Sequence, residues 1–208
     1  MAIGERYDAI LEAAREVFAR RGFHPASIRE IARAADLSLA GLYHYVGGKD
    51  ELLFLVLDRA LHTLIGMADA ALAGEPAGPQ ARLRALIRVH LEFGFQHADA
   101  LRVVNRDWEL VSSPRRAEIA TRRRAYMERW LGVLRELDPH ERSGRALFSA
   151  ANLLLGMLNG IAARPFLKTP DDPRGLAGQV GALFLHGFLD SSADGLETVA
   201  VTGDTHDA

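Results

Sequence analysis

The chain of 208 residues contains no cysteine, which excludes a disulfide framework, a thiolate metal site and a cysteine nucleophile. It also has no excess of one charge, because 25 Lys and Arg against 27 Asp and Glu give a formal net charge of −2. No global basic field therefore draws this protein to nucleic acid. Any binding to DNA must come from a local patch.

The sequence also lacks an uninterrupted apolar run long enough to span a bilayer. Its most apolar region, residues 147–163, is broken by Ser149, Asn152 and Asn159 and is shorter than the roughly 20 residues of a spanning helix. The first residues reach charge at Glu5 and Arg6 before any apolar core of a secretory signal could form. We therefore expect no membrane partner and a cytoplasmic location.

Catalytic and cofactor motifs are absent as well. Residues 47–49 read Gly-Gly-Lys, but Tyr43 and Asp50 stand where a phosphate-binding loop needs glycine and Ser or Thr. The sequence has neither a Gly-x-Ser-x-Gly nucleophile elbow nor a dinucleotide glycine fingerprint. His90 and His97 lie two helical turns apart, too far for simple paired ligation of a metal. We therefore expect no enzymatic activity, no cofactor and no metal.

What the sequence does contain is helical periodicity along most of its length. Apolar residues recur at helical spacing from Ile10 to Phe188, and no alternating strand pattern interrupts them. With 49% hydrophobic residues the chain can bury a real core. The pattern predicts an all-α protein of about nine helices, with a small unit at 1–50, a helical bundle at 51–190 and a disordered tail at 191–208.

Two short helices are predicted within the first unit. Helix one should end at Gly22, with Phe23 folding back as the accompanying apolar contact. Ser27 and Glu30 form a capping box that starts helix two, in which the hydroxyl accepts a backbone N–H and the carboxylate reaches back to the cap. Ser38 can cap a third helix only a few residues later. This arrangement is a candidate helix-turn-helix.

Residues 27–52, SIREIARAADLSLAGLYHYVGGKDEL, resemble the DNA-binding signature of the TetR family. Three positions depart from the family pattern: Asp36 and Ala40 replace glycines, and Val46 replaces a phenylalanine. Aspartate tolerates unusual backbone angles better than most residues, so Asp36 can still occupy the turn. The resemblance implies an N-terminal three-helix helix-turn-helix domain followed by a helical-bundle domain for ligand binding and dimerisation.

A recognition helix needs short side chains where it meets base edges and phosphate donors at its flanks. Arg29 is the candidate for bidentate contact with guanine, and Leu39 or Ala40 for a thymine methyl. Tyr43 and Lys49 are candidate phosphate contacts, and the family resemblance favours this over the alternative of a core residue and a solvated helix-start residue. Tyr45 has the same two interpretations. The predicted DNA-binding residues are Ser27, Arg29, Ser38, Leu39, Ala40, Gly41, Tyr43, His44 and Lys49.

Beyond residue 98 the chain resembles, less specifically, TetR members that respond to acyl-CoA thioesters. The residues that carry this resemblance are Trp108 to Leu110, Arg115, Arg116, Arg122 to Tyr126, Gly156 to Gly160 and Phe166. The arginine run is either a solvated helix face or a site for coenzyme A phosphates. The aromatics are either pocket lining or plain core. The predicted ligand-binding residues are Phe93, His97, Asn105, Trp108, Arg122, Tyr126, Trp130, Asn152 and Asn159.

Small residues on the last two helices allow close approach of two backbones. This can be ordinary packing within one subunit, but the family resemblance favours a four-helix interface in a homodimer. The predicted interface residues are Gly156, Gly160, Gly181, Phe184 and Phe188. A two-fold dimer would place two recognition helices on a palindromic operator.

We therefore expect a repressor that binds double-stranded operator DNA and is released by a small-molecule effector, such as an acyl-CoA or another hydrophobic acid derivative. Two other interpretations remain open. One is an activator of the same fold, and the other is a helical small-molecule binding module or enzyme that does not bind an operator.

Overall fold

The computed structural model describes residues 3–74, 78–164 and 173–190. Within these ranges the chain forms nine α-helices, one 3-10 turn and no strand, which confirms the all-α prediction. The predicted tail at 191–208 lies outside the described residues. The helices are α1 Ile3–Arg21, α2 Ile28–Ala34, α3 Leu39–Tyr43, α4 Lys49–Gly74, α5 Pro79–Gln96, α6 Ala98–Asp107, α7 Arg115–Leu137, α8 Gly144–Ala162 and α9 Pro173–Asp190, with the 3-10 turn at Trp108–Leu110.

Local sequence signals set the boundaries of the first three helices. Gly22 follows α1 with φ 87°, and the Phe23 ring lies 5.7 Å from that of Phe18. The hydroxyl of Ser27 accepts from the backbone N–H of residue 30 at 3.1 Å, and that of Ser38 accepts from residue 41 at 3.0 Å. Asp36, with φ 54°, makes the left-handed turn between α2 and α3. The predicted caps and turns are confirmed at each of these positions.

Helix α4 connects the head, residues 3–48, to the body, residues 49–190. It has 26 residues, about 39 Å at 1.5 Å per residue. It packs against α1 of the head and against α5, α6 and α7 of the body. Because one continuous helix joins the two units and packs on both, a movement of α4 would change its packing contacts in the head and in the body.

Charged residues of α4 and α7 form a line of ion pairs that we call the α4–α7 seam. Arg115 lies 3.7 Å from Asp50 and 3.4 Å from Glu51. Arg122 pairs with Asp58, and Arg129 donates two hydrogen bonds of 2.8 Å to Asp69. The three arginines are seven residues apart in sequence, so they share one helical face.

Helix α5 packs against α4, α7, α8 and α9 and so forms the centre of the body. Gly181 of α9 lies against it, since a Cβ at this position would stand 3.3 Å from Arg84 Cγ and 3.5 Å from Ile87 Cδ1. The end of α9 is held by Arg142, which donates to the Phe188 carbonyl at 2.5 Å and lies 4.4 Å from its ring centroid.

Candidate functional site

The outer surface of α2 and α3 carries most of the residues predicted to contact DNA. Ile31 and Leu42 are completely buried beneath these helices and anchor them to the head. The opposite faces point to solvent, where Tyr43 is 50% exposed. Tyr45 is half-buried and packs against the core, which favours its structural interpretation. The predicted residues with exposed side chains are Ser27, Arg29, Ser38, Ala40, Tyr43 and His44, while Leu39 and Gly41 are partly exposed.

The arginines at this surface fall into two groups. Arg21 and Arg20 donate to one oxygen of Glu30 at 2.8 and 3.1 Å. Hydrogen bonding from Arg21, followed by its charge and that of Arg20, lowers the pKa of Glu30. Glu30 therefore pairs with α1 rather than reaching back to the cap, so the second half of the predicted capping box is wrong. Arg29 and Arg33 are exposed and have no carboxylate partner among the residues described.

Lys49 was predicted to contact phosphate, but its side chain does not point to the outer surface of α2 and α3. Its ammonium group donates to the backbone carbonyls of Phe23, His24 and Ala26 at 2.9, 3.1 and 2.9 Å. It also lies 4.5 Å from the centroid of the Phe23 ring. A lysine has three N–H donors, and here each has a carbonyl acceptor. Lys49 therefore fastens the start of α4 to the turn after α1, and a phosphate contact would require replacing these bonds.

Two predicted ligand residues, Asn105 and Asn159, meet at a cleft of about 380 Å³ between α6 and α8, the α6–α8 cleft. The side-chain amide of Asn105 donates to Asn159 Oδ1 at 3.0 Å. The same oxygen lies 3.1 Å from Nε2 of His90, whose Nδ1 is 2.9 Å from the Tyr126 hydroxyl. A hydrogen-bonded chain thus leads from the cleft into the core.

The acceptor oxygen of Asn159 determines where the protons lie in this series of hydrogen bonds. Because Oδ1 only accepts, His90 Nε2 carries the hydrogen and Nδ1 accepts from the Tyr126 hydroxyl. Burial lowers the pKa of His90 to about 4, so its ring is neutral at neutral pH. Burial raises the pKa of Tyr126. The sequence had indicated only that His90 does not pair with His97 as a metal ligand, because the approach of His90 to Tyr126 and Asn159 is set by tertiary packing.

Other predicted ligand residues have structural roles in this conformation. Trp130 is completely buried, with the rings of His90 and Tyr126 at 6.2 and 6.1 Å, which favours the core interpretation of this aromatic residue. The guanidinium of Arg123 covers Trp108 at 4.6 Å.

Arg122 belongs to the α4–α7 seam through its ion pair with Asp58. Asn152 is exposed and donates to the Phe148 carbonyl of its own helix at 2.8 Å. Asn152 is therefore separated from the α6–α8 cleft, although Asn159 of the same helix lines it.

Phe93 and His97 line a separate cleft of about 450 Å³, which we call the junction cleft. Residues from α1 and α4 form one side of it, and residues from α5 and α6 form the other. The predicted ligand residues are thus divided between two openings rather than gathered in one pocket.

Helices α8 and α9 expose an apolar surface, the α8–α9 face. Its most exposed large side chains are Phe148, Leu153, Met157 and Leu183, at 50, 61, 44 and 71%. Gly156 and Gly160 also lie in the open, with no atom within 4 Å of a Cβ built on either.

Two of the predicted dimer residues pack inside the chain instead. Gly181 faces α5, and Phe188 is 3% exposed beneath Arg142. Phe184 is partly buried and stacks on Phe188 at 5.5 Å. Small and aromatic residues carry the same sequence signal in intrachain packing and in dimer contacts, so the sequence could not separate them.

Neither a metal site nor a clear membrane segment stands out. In the described ranges no group of three or more His, Asp or Glu side chains could hold a metal ion. By length and composition α8 could cross a membrane, with a mean hydropathy of 1.2. One side of α8 packs on α5 and α7, and its other side carries the exposed residues of the α8–α9 face.

Two family models match the sequence. The model described as bacterial regulatory proteins, tetR family, matches residues 10–56, which include α2 and α3. The model described as tetracyclin repressor-like, C-terminal domain, matches residues 76–163.

Relatives of known class are transcriptional regulators. HbdR of Aromatoleum sp. (strain CIB) is 39% identical over 61 residues, which are 29% of this chain and 27% of that protein. The repressor KstR2 of Mycobacterium tuberculosis (strain ATCC 25618 / H37Rv) is 29% identical over 64% of this chain and 67% of its own. BetI of Rhizobium meliloti (strain 1021) is 30% identical over 79% of each chain. Each of these relatives is described as a transcriptional regulator or repressor.

Solved structures share the fold. A TetR-family transcriptional regulator from Bordetella parapertussis 12822 has 27% identity and a TM-score of 0.80, over 88% of this chain and 95% of its own. AibR, solved in complex with isovaleryl coenzyme A and operator DNA, has 24% identity and a TM-score of 0.71, over 88% and 97%. With both halves of the sequence matched and the helical architecture shared, this chain belongs to the TetR family of transcriptional regulators.

Proposed function

We propose that this protein is a dimeric, ligand-responsive transcriptional repressor that binds a palindromic operator in the cytoplasm. One observation carries the proposal: α2 and α3 are fixed by their caps and by the buried Ile31 and Leu42, while Arg29 and Arg33 are exposed and have no carboxylate partner among the described residues. Cations that no protein group neutralises are available to phosphates and guanine edges.

In the proposed complex α3 enters the major groove. Its exposed Ala40 and partly exposed Leu39 allow close approach to thymine methyl groups, and Tyr43 and His44 donate to phosphates at the rim. Arg29 reads a guanine from α2, and Arg33 contacts the backbone. With so few cations in each head, one subunit makes few phosphate contacts, so useful affinity needs two heads.

The second head is supplied by pairing two copies through the α8–α9 face. Its exposed Leu153, Met157 and Leu183 form an apolar surface on two adjacent helices. Such surfaces are uncommon on monomers. The open positions of Gly156 and Gly160 allow the backbone of a second α8 to approach closely. A two-fold interface of this kind matches the symmetry of a palindrome.

The effector is proposed to enter the α6–α8 cleft, where Asn105 and Asn159 offer amide groups at the end of the buried chain. Arg106, on the wall of the same cleft, donates to the Phe18 carbonyl of α1 at 2.5 Å. A ligand that moves α6 therefore acts on the head through Arg106. Because AibR binds isovaleryl coenzyme A, an acyl-CoA thioester is the first effector to test.

The test of operator binding uses the purified chain and a fluorescent duplex from its own upstream region. Fluorescence anisotropy should give tighter binding than to a shuffled duplex at the same salt concentration, by about 1,000-fold or more. Equal affinity for both duplexes would contradict sequence-specific regulation. It would leave a binding module without an operator.

The test of the effector site compares Asn159→Leu with Asn152→Leu. Both variants remove an amide from α8, but only Asn159 belongs to the buried chain. Isovaleryl coenzyme A should lower the operator affinity of the wild type and of Asn152→Leu and should leave Asn159→Leu bound. If all three proteins respond alike, the α6–α8 cleft is not the effector site.

The test of the dimer uses sedimentation at micromolar concentration. Leu183→Glu places a charge on the α8–α9 face and should convert a dimer to a monomer. Leu110→Glu, at another exposed apolar position, is the control and should remain dimeric. A wild-type monomer, or loss of the dimer in the control alone, would overturn the proposed interface.

A further inference from the structure

The junction cleft lies where the head meets the body, apart from the chain of polar residues at the α6–α8 cleft. Its floor is apolar and comes from four helices: Leu11 of α1, Val56 and Ala60 of α4, Phe93 of α5 and Ala100 of α6. Each of these side chains is almost fully buried, yet together they border an opening of about 450 Å³. That volume is within the range of small-molecule sites.

The charged rim of the junction cleft is already neutralised. Asp8 accepts from Arg59 at 2.6 Å across α1 and α4. Arg15 pairs with Glu12 and lies 3.4 Å from Asp99 of α6. A charged ligand of either sign finds no unpaired arginine or carboxylate among these rim residues, and it would lose hydration over the apolar floor of the cleft. The rim therefore favours a neutral occupant over an anion or a cation.

One polar group of the rim remains available to such an occupant. The hydroxyl of Thr63 donates its hydrogen to the Arg59 carbonyl at 2.9 Å, so its oxygen can still accept a hydrogen bond. The rings of Phe93 and His97 lie 5.0 Å apart at one end of the cleft and offer an aromatic surface. An apolar ring system that carries one hydroxyl matches both features.

From these features we propose that the junction cleft is a second ligand site, which takes a small, neutral, mainly apolar molecule with one hydroxyl group. The site does not depend on the effector proposed for the α6–α8 cleft. Its occupant contacts α1 on the head side and α5 and α6 on the body side. It therefore fits only while these helices keep their present separation.

A ligand with this selectivity is a regulator. It binds one arrangement of head and body better than others, and it shifts the population toward that arrangement by its difference in affinity. By linkage, operator DNA must change the affinity for the ligand by the same factor as the ligand changes the affinity for the operator. This reciprocity gives the proposal a second, independent readout.

The experiment uses three probes that share one ring system and differ in charge: 2-naphthylmethanol, 2-naphthoate and 2-naphthylmethylammonium. Isothermal titration of the full chain without DNA should show one site per subunit for the alcohol. The two charged probes should bind about 10-fold more weakly or worse, a difference in binding free energy of about 1.4 kcal/mol. Tighter binding of a charged probe, or no binding of the alcohol, would overturn the proposal.

Variants locate the site. Ala9 of α1 lines the junction cleft and is partly exposed, so Ala9→Phe should fill the opening and abolish binding of 2-naphthylmethanol. Ala70→Phe adds the same side chain to an exposed part of α4 outside the lining and should bind as the wild type does. Binding that survives in Ala9→Phe would place the probe elsewhere.

Thr63→Phe, on the α4 side of the rim, repeats the test if Ala9→Phe does not fold by circular dichroism. Asn159→Leu should retain full binding, because Asn159 lies at the α6–α8 cleft. Loss of binding in Asn159→Leu would merge the two sites and contradict the proposal.

The final readout is operator affinity with and without 2-naphthylmethanol. We expect a change of about fivefold or more in the wild type and none in Ala9→Phe. If the probe binds and this affinity is constant, the regulatory role is wrong. Because binding is measured without DNA, failure of operator binding alone leaves the ligand site standing.

Discussion

The arginines of α2 and those of α7 differ in whether a carboxylate of this chain neutralises them. On α2, Arg29 and Arg33 face solvent without carboxylate partners among the described residues. On α7, Arg115, Arg122 and Arg129 each meet a carboxylate of α4. The difference teaches that an arginine run in sequence says little about binding until the facing helix is known.

The physical reason lies in the neighbouring element. Helix α4 runs beside α7 and supplies Asp50, Asp58 and Asp69, so the charge of α7 is neutralised within the chain. In the head, Glu30 of α2 accepts from Arg20 and Arg21 of α1, so its charge is already paired. Arg29 and Arg33 are thereby left without a carboxylate partner among the residues that the structure describes.

The largest expected effect concerns the interior of the body, where polar groups are satisfied by one another. Burial depresses the pKa of His90 from 6.5 to about 4, so the unfolded chain binds a proton that the folded chain does not. The contribution of neutral His90 to the free energy of unfolding is therefore complete above pH 6.5, and it is lost as the pH drops toward 4. The loss from this group is about 3 kcal/mol, at 1.36 kcal/mol per pKa unit.

His90→Gln should remove this dependence, because glutamine can donate to Asn159 and accept from Tyr126 without titrating. Urea unfolding of both proteins across this pH window checks the prediction. Parallel curves for the wild type and the variant would mean that His90 is not held neutral by burial.

The next effect tests the free arginines. Arg29→Ala should weaken binding to the operator by about 1–3 kcal/mol and leave binding to random DNA nearly unchanged, as expected for bidentate contact with a guanine. Arg33→Ala is the matched control on the same helix. It should weaken binding to both duplexes and reduce the salt slope by about one.

Anisotropy titrations over a range of salt concentrations measure both variants. An equal loss on operator and random DNA for Arg29→Ala would make Arg29 a phosphate contact. Neither variant should change the free energy of unfolding, because neither arginine has an ion-pair partner among the residues described.

A smaller effect tests the paired arginines. Arg122→Gln breaks the ion pair with Asp58 in the α4–α7 seam, and both side chains are partly exposed. We expect a loss of about 0.5–1 kcal/mol in the free energy of unfolding at low salt, and less at high salt. Denaturant titration measures it. A large loss of nonspecific DNA affinity in this variant would show that the seam contributes to the DNA-binding surface.

The smallest effect concerns the turn of the head. Asp36, at φ 54°, adopts a left-handed conformation that glycine adopts without steric cost. Asp36→Gly should therefore raise the free energy of unfolding by about 0.5 kcal/mol. Glu141, at φ 49° in the body, is the comparison position. Glu141→Gly should raise the free energy of unfolding by more than Asp36→Gly does, because the left-handed region tolerates Asp better than Glu. A loss of stability in both variants would contradict this account.

Sequence reasoning succeeded where the signal is local. Gly22, Phe23, Ser27, Ser38 and Asp36 are confirmed because a cap or a tight turn depends on residues within a few positions. The TetR signature identified the DNA-binding unit for the same reason, since it is one contiguous stretch.

Reasoning from the sequence failed where the partner is distant in the chain. Lys49 was expected at a phosphate, but the carbonyls that it binds lie 23 to 26 residues earlier. Arg122 was expected near a ligand, but it pairs with Asp58, 64 residues away. Phe188 was expected at a dimer contact, but Arg142 covers it within the same chain. Helical spacing shows which residues share a face, and it does not show what that face meets.

By itself the sequence determined the all-helical class, the paired short helices of the head and the TetR family, because periodicity, caps and a contiguous signature are read along the chain. Only the tertiary structure decided which arginines are neutralised, that His90 and Asn159 form one buried chain, and that two separate clefts open at α6. Ion pairs, hydrogen-bond partners and cavities are set by which helices pack together, and packing brings together residues that no local pattern relates.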